Sequence, residues 1–86
     1  PFGSLVELGI IKPGTSIFDQ KKKINAKIMV DGSIKHKESA GSIHKVAAKI
    51  MGTESYNGWT YWHCDINGTA VLIDSLRQKF ISENQF

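Results

Sequence analysis

The sequence predicts a small single α+β domain in which two antiparallel β-hairpins form a sheet, packed with a central helix and terminal helices. Three observations predict this fold class. The chain has 86 residues, which is room for one domain. Two stretches alternate between apolar and polar residues around the turn dipeptides Asp31-Gly32 and Asn67-Gly68. Between them, apolar residues recur at helical spacing. We therefore assign residues 1–86 to one domain.

The first two elements are a short helix and a short strand. Apolar residues form a helical stripe between Phe2 and Ile11, and Gly9 is a helix-ending residue. Pro13-Gly14 is a turn signal, and residues 15–18 are typical of a strand.

The turn of the first hairpin, within residues 24–37, decides its register. A two-residue turn at Asp31-Gly32 would place Ile34 on the same face as a lysine. A three-residue loop, residues 30–32 with Gly32 left-handed, keeps one face apolar and the other basic. We therefore predict the longer loop, which pairs Ile28 with Ile34 and Lys27 with Lys35.

The middle of the chain predicts a helix after the hairpin. Residues 39–41 should break the preceding strand, and Gly52 should end the helix. One side of the helix is apolar and the other polar. The apolar side carries Ile43, Val46, Ala47 and Ile50, and the polar side carries Ser42, Lys45 and Lys49 with His44 alongside.

The last third predicts a second hairpin and a final helix. Residues 59–64 alternate and are rich in aromatics, which is typical of a strand. Asn67-Gly68 then turns the chain into a strand at residues 69–72. Asp74 is a candidate cap of the last helix, whose apolar residues are Leu76, Phe80 and Ile81.

The positive charge is concentrated in one window. The chain has eleven Lys and Arg against eight Asp and Glu, a net charge of +3. Residues 21–49 hold eight lysines against Asp31 and Glu38, so this window carries +6. The block indicates either a solvated face or a polyanion-binding surface, and its spread over two strands and a helix favours nucleic acid. The expected phosphate contacts are Lys27, Lys35, Lys37, Lys45 and Lys49; Lys21, Lys22 and Lys23 receive no role.

Several classes of protein do not fit the sequence. No apolar run approaches the roughly 20 residues that cross a bilayer, and the first residues lack the order of a secretory signal. The single Cys64 favours a reducing compartment, and we expect it to pack as a small hydrophobic residue. A metal site is disfavoured because His36, His44, His63 and Cys64 lack the paired spacing of zinc ligands.

Residues 41–45, Gly-Ser-Ile-His-Lys, open the middle helix and allow two interpretations. Free backbone N–H groups, a Ser hydroxyl, an imidazole and an ammonium form a candidate phosphate cradle. Alternatively, Ser42 only caps the helix and Lys45 is solvated. A nucleophilic pair of Ser42 and His44 is disfavoured, because side chains two residues apart on a helix diverge.

Residues 57–63, Asn-Gly-Trp-Thr-Tyr-Trp-His, contain both tryptophans. On a strand, Trp59 and Trp62 face opposite sides. We predict that Trp62 is core and Trp59 is exposed, where its ring stacks on an unpaired base; the alternative buries both. Asn57 is either a turn residue or a polar contact to DNA. We expect Trp59, the helix start and the lysine-bearing hairpin to form one concave positive patch.

Arg77 lies near the apolar stripe of the last helix. One interpretation is structural: Arg77 forms a local ion pair with Asp74, three residues earlier. The alternative is a guanidinium that reaches a phosphate or base beside Trp59.

Three segments resemble a known module. They are residues 41–45, residues 57–63 and Ile-Asp-Ser-Leu-Arg at residues 73–77, in this order and spacing. The chain resembles the C-terminal, restriction enzyme adenine methylase-associated domain of bacterial cell-cycle-regulated DNA adenine-N6 methyltransferases. The resemblance extends from Leu5 to Arg77.

The resemblance implies a DNA-binding accessory domain that helps a dimeric methyltransferase recognise and open its site. Such enzymes methylate the adenine of GANTC from S-adenosylmethionine, and their cofactor site and Asp-Pro-Pro-Tyr motif lie in an upstream domain. That tetrapeptide is absent from this sequence, so we expect no catalytic residue, cofactor or metal in the fragment. The resemblance links Ser42, Asn57, Trp59 and Arg77 to DNA binding, and the cradle interpretation adds His44 and Lys45.

The expected partners are DNA, the methyltransferase domain of the parent enzyme and a second copy of that enzyme, in the nucleoid of a bacterial cytoplasm and without a membrane. The alternative function is a protein-interaction or dimerisation module that uses the same surface. A small hydrolase acting through Ser42 is disfavoured, because no third partner for a Ser-His pair is evident.

Overall fold

The computed structural model describes residues 2–83, in which six strands form one antiparallel sheet with four helices. In chain order the elements are α1 (Phe2–Glu7), β1 (Ser16–Phe18), β2 (Asn25–Ile28), β3 (Ile34–His36), β4 (Ser39–Gly41), α2 (Ile43–Met51), α3 (Gly58–Tyr61), β5 (His63–Ile66), β6 (Thr69–Leu72) and α4 (Ile73–Glu83). The strand order is β4-β3-β2-β1-β5-β6. The predicted fold class, a small α+β domain, is confirmed.

The first hairpin has the predicted register. Lys27 lies opposite Lys35 and Ile28 opposite Ile34. Gly32 has a φ of 87°, the left-handed conformation that the loop requires. The loop is closed by Met29 N–H, which donates to the Ser33 carbonyl at 2.8 Å. Because side chains alternate along a strand, this register sends both isoleucines to one face of the sheet and both lysines to the other.

The core lies between one face of the sheet and helix α2. Ile28 and Ile34 of the sheet and Ile43 and Val46 of α2 are all buried in one apolar cluster, which Trp62 joins. We call this the inner face of the sheet. Helix α2 ends as predicted at Gly52, which has a φ of 72°. The outer face therefore carries Lys27 and Lys35 on the side of the sheet away from α2.

Strand β4 corrects a prediction. Residues 39–41 do not simply end the hairpin; they form an edge strand that pairs with β3, Lys35 lying opposite Ala40. The chain reverses through Lys37, whose φ is 55°. The alternation indicated that Lys37 is part of the strand. In the structure it is a turn residue instead. The small residues Ser39, Ala40 and Gly41 show no apolar alternation, so no pattern indicated a strand there.

Residues 59–64 are also different from the prediction. Gly58–Tyr61 forms the one-turn helix α3, and the strand β5 begins only at His63. Aromatic residues at alternate positions imitate a strand, but the Asn57 side chain caps a helical turn instead. The second hairpin itself is confirmed. Its two-residue turn has Asn67 at φ 53° and Gly68 at φ 83°, the signature of a type I′ turn.

The two terminal helices form where they were predicted, but their ends differ from the prediction. Helix α1 stops at Glu7, short of the predicted Gly9, which follows in a left-handed conformation. The prediction that Asp74 caps the last helix is wrong, because β6 continues directly into α4 and Asp74 lies within the first helical turn. Within residues 2–83, no helix has the length and apolar character needed to cross a bilayer.

Candidate nucleic-acid interface

The start of α2 and helix α3 are joined by two hydrogen bonds, and we call these residues the α2–α3 junction. Gly58 N–H donates to His44 Nδ1 at 2.9 Å, and Trp62 Nε1 donates to the Ile43 carbonyl at 3.0 Å. The second bond is buried. The junction therefore brings together the two segments that the sequence singled out, residues 41–45 and 57–63.

Gly58 lies at the closest approach of the junction. A Cβ atom added at this position would lie 2.5 Å from the Ile43 carbonyl oxygen and 2.8 Å from His44 N. Both neighbours are backbone atoms of a helix, which cannot move aside as a flexible side chain can. The sequence did not indicate this role of Gly58.

The hydrogen bond to Gly58 determines the state of the His44 ring. A backbone N–H donates to Nδ1, so Nδ1 is an acceptor and the neutral ring carries its proton on Nε2. The ring also packs against Trp59, with centroids 6.4 Å apart at an angle of 67°. His44 thus positions α3 and offers one N–H donor at an exposed site.

Trp59 is buried, which corrects the prediction that it is exposed. Only 7% of its surface is accessible. Phe2 packs edge-on against the ring at 6.1 Å, His44 contacts another side, and Arg77 Cζ lies over the ring, 4.5 Å from its centroid. Because Trp59 lies on a helical turn, Trp59 and Trp62 do not point to opposite faces as they would on a strand. Trp62, predicted as core, is confirmed with 0% exposure.

Arg77 has the local partner that its structural interpretation predicted, and it also contacts Trp59. Its Nη2 forms an ion pair with Asp74 Oδ1, as the structural explanation required. The guanidinium also lies over Trp59, in the geometry of a cation–π contact. Helix α4 thereby brings the third singled-out segment, residues 73–77, to the α2–α3 junction. Arg77 covers the Trp59 ring, and 34% of the Arg77 side-chain surface remains exposed to solvent.

Ser42 and Asn57 both cap helices. Ser42 Oγ accepts a hydrogen bond from Lys45 N–H at 3.0 Å, and Asn57 Oδ1 accepts one from Trp59 N–H at 3.0 Å. Both residues are exposed. A pocket of about 220 Å³ opens beside the start of α2. Its lining comprises Phe2, Gly3, Gly32, Ser42, Ile43, His44 and Trp59.

We expect Ser42→Ala to lower the free energy of unfolding by about 1 kcal/mol, because the Lys45 N–H loses its capping acceptor. Urea denaturation measures the change. Ser75→Ala, at an exposed position inside α4, is the matched control and should change stability by less than about 0.5 kcal/mol. An unchanged Ser42→Ala midpoint would show that the cap contributes nothing.

The predicted lysines do not form one patch with the junction. Lys27 and Lys35 lie on the outer face of the sheet, and Lys37 lies in the β3–β4 turn. Lys45 and Lys49 are exposed on α2, where they line a groove beside β4 with Glu38 and Ser39. The expected single concave surface is therefore wrong. Strand alternation, which keeps the isoleucines in the core, necessarily turns the strand lysines away from α2.

Comparison with known proteins identifies the family. The model of the restriction enzyme adenine methylase associated (RAMA) family matches residues 1–85. The chain belongs to the RAMA family. This RAMA domain is also similar to the type II methyltransferase M.HinfI of Haemophilus influenzae, with 30% identity over 83 residues. That match covers 96% of the chain and 23% of the relative, so the chain spans about a quarter of the length of that enzyme.

Lys22 of this RAMA domain has a structural role that the sequence did not indicate. Its Nζ lies 3.4 Å from Asp65 Oδ1 and 4.8 Å from the centroid of Phe18. Phe18 is also stacked on His63. The Lys22 side chain thus covers an aromatic pair on the outer face, which explains how Phe18 is buried there.

The residues considered as zinc ligands have other surroundings in the RAMA domain. His36 Nδ1 lies 2.7 Å from the Asn25 carbonyl, His44 bonds to Gly58, and His63 stacks on Phe18. The described part of the chain contains no group of three or more His, Cys, Asp or Glu side chains arranged to hold a metal. Cys64 is buried as predicted, and burial, then Asp65, raises the pKa of its thiol.

Two further groups have shifted pKa values. Burial, with smaller contributions from Asp19 and Tyr56, raises the pKa of Tyr61, so its phenol is neutral at physiological pH. The Ser33 hydroxyl and backbone N–H, which both donate to the carboxylate, lower the pKa of Asp31. Both shifts move the pKa of the group further from neutral pH.

Proposed function

We propose that this RAMA domain is a DNA-binding accessory domain of a site-specific, S-adenosylmethionine-dependent DNA adenine-N6 methyltransferase of the GANTC type. Two findings support the proposal that the parent enzyme is such a methyltransferase: the chain belongs to a family associated with adenine methylases, and it is similar to M.HinfI. In the proposal this domain is the C-terminal part of a dimeric bacterial enzyme that acts on the nucleoid, and S-adenosylmethionine binds elsewhere in the parent.

The observation that carries the proposal is that Arg77, which covers the buried Trp59, and the start of α2 meet at one place on the surface. The Arg77 guanidinium, the His44 imidazole and the helix start offer donors to phosphates, and the exposed part of the guanidinium offers a planar surface for a base. The contacting residues are Ser42, His44, Lys45, Asn57 and Arg77, with Trp59 beneath the guanidinium.

The lysines supply a second, electrostatic contact. Lys27 and Lys35 lie directly opposite each other, an arrangement that is unfavourable in an isolated sheet. Their row on the outer face continues to Ser16 on one side and Ala40 on the other, so it contains no carboxylate. A phosphate between the two ammonium groups would relieve the repulsion. Lys37 and Lys49 extend the positive charge toward the β4 edge.

A salt-dependent titration tests DNA binding. The ligands are a duplex that contains GANTC, a duplex with a scrambled site and a single strand of the same length. We expect affinity to fall by at least about tenfold between about 50 and 200 mM salt, because phosphate contacts release counterions. Mapping of amide shifts should place the contact at the α2–α3 junction. The DNA-binding proposal fails if there is no binding at the lower salt concentration.

A double lysine variant tests the outer face. We expect Lys27→Ala with Lys35→Ala to make the negative slope of log affinity against log salt shallower by about two, because each phosphate contact contributes about −0.9. Lys12→Ala with Lys79→Ala removes the same charge from the α1–β1 loop and α4, and should leave the slope nearly unchanged. Equal slopes for both double variants would exclude the outer face from the contact.

A protein-interaction module is the second candidate, favoured by the exposed apolar loop of the first hairpin. Val30 is 84% exposed, and with Met29 it borders a cavity of about 590 Å³ that also contacts Lys35 and Glu38. In this alternative the loop docks another part of the parent enzyme or a second copy. Val30→Asp would then weaken association, measured by sedimentation in the full enzyme, while oligonucleotide binding by the domain persists.

A further inference from the structure

The Arg77 guanidinium lies between an aromatic ring and a carboxylate. Trp59 is on one side, 4.5 Å from Cζ, and Asp74 Oδ1 contacts Nη2. Both members of the ion pair are partly exposed, 34% for the Arg77 side chain and 26% for Asp74. In the free domain, the charge that we assign to DNA binding is therefore already compensated by a carboxylate of the same helix.

The hydrogen-bonding capacity of this guanidinium is not used up. An arginine has five N–H donors arranged in a fork that fits two oxygens. Arg77 Nε is buried and has no hydrogen-bond partner among residues 2–83, and the contact with Asp74 lacks the alignment of a hydrogen bond. Asp74 thus neutralises the charge without the two-point contact that a phosphate can make.

We propose that Asp74 is an internal counterion that a phosphate of the bound oligonucleotide replaces on Arg77, so that Asp74 limits the affinity of the domain. This inference rests on the proposed DNA-binding function. Both charges stay compensated during the exchange, because Arg77 gains the phosphate and Asp74 remains in the first turn of α4, where the helix N-terminus favours a negative charge. The cation–π contact with Trp59 keeps the guanidinium in place during the exchange.

The test is Asp74→Asn in oligonucleotide titrations. Asparagine keeps the shape and an acceptor oxygen but removes the charge. We expect a gain in duplex affinity of about threefold to tenfold at low salt and a salt slope steeper by up to about one, because Arg77 becomes an uncompensated cation. Asp74→Ser, a second neutral variant suited to a first helical turn, should behave in the same way. Thermal melting establishes that each variant is folded.

Two controls separate this effect from a general change in charge. Glu54→Gln removes one negative charge from the exposed loop between α2 and α3 and should leave the salt slope unchanged. In an Arg77→Met background, the gain from Asp74→Asn should disappear, which a double-mutant cycle measures directly.

The outcomes distinguish this inference from the proposed function. If the wild-type domain binds DNA but Asp74→Asn binds no better than Glu54→Gln, or if the gain persists without Arg77, the counterion inference is wrong and DNA binding stands. If neither wild type nor Asp74→Asn binds any oligonucleotide at low salt, both the proposed function and the inference are wrong.

Discussion

Gly58→Ala should lower the free energy of unfolding by about 3 kcal/mol, because the new methyl group would overlap backbone atoms of α2. The added Cβ would lie 2.5 Å from the Ile43 carbonyl oxygen. To accommodate it, α3 must move away from α2, which also lengthens the hydrogen bond to His44. For a domain of this size the melting temperature should fall by about 15 °C, as measured by circular dichroism.

Gly3→Ala is the matched control for this prediction. Gly3 lies in helix α1, and an added Cβ there would meet no atom within 4 Å. The same substitution in open helical surroundings should be neutral or stabilising by up to about 1 kcal/mol. A similar loss of stability in both variants would show that close approach to Ile43 is not the reason for glycine at residue 58.

Trp62→Phe should lower the free energy of unfolding by about 2–4 kcal/mol. The substitution removes a buried hydrogen bond from Nε1 to the Ile43 carbonyl and leaves space in a fully buried site. The loss should appear as a lower urea midpoint with an unchanged slope, because the fold remains cooperative.

Trp59→Phe provides the comparison for Trp62→Phe. Trp59 is also buried, but its role is to support Arg77 and to pack against Phe2 and His44 at ring edges. We expect a stability loss of about 1 kcal/mol, since phenylalanine retains part of the cation–π contact. If Trp59→Phe proves the more destabilising of the two, the hydrogen bond to Ile43 is not the main anchor of the junction.

The hairpin register was predictable from the sequence because a physical constraint left one solution. Only a three-residue loop over residues 30–32 places Ile28 opposite Ile34 on the apolar face, and the structure has this pairing. Helix α2 was similarly predictable from Ile43 and Val46 at its start and Gly52 at its end. In these elements local periodicity and the tertiary core agree.

The candidate site was less predictable, because its geometry depends on contacts between distant segments. The aromatic residues around Trp59 and Trp62 follow the alternating pattern of a strand. The segment is nevertheless helical, because Asn57 caps a single helical turn and Gly58 contacts the backbone of α2. No local pattern indicates that Gly58 N–H will meet His44. The pairing of Arg77 with Asp74 was predictable from their spacing, whereas its position over Trp59 required the fold.

The hydrogen bonds of the α2–α3 junction restrict how this domain can diverge. Gly58 has no room for a side chain against the Ile43 carbonyl, so a replacement there would disturb both the fold and, in the DNA-binding proposal, the placement of the contacting groups. If the domain binds DNA as proposed, a lineage that acquires a new recognition preference would therefore change exposed side chains, such as Lys45 or Lys49, and retain the scaffold beneath them. The melting temperature of each variant that loses binding should therefore be measured first. Only a variant that remains folded shows that the substituted residue contacts the ligand.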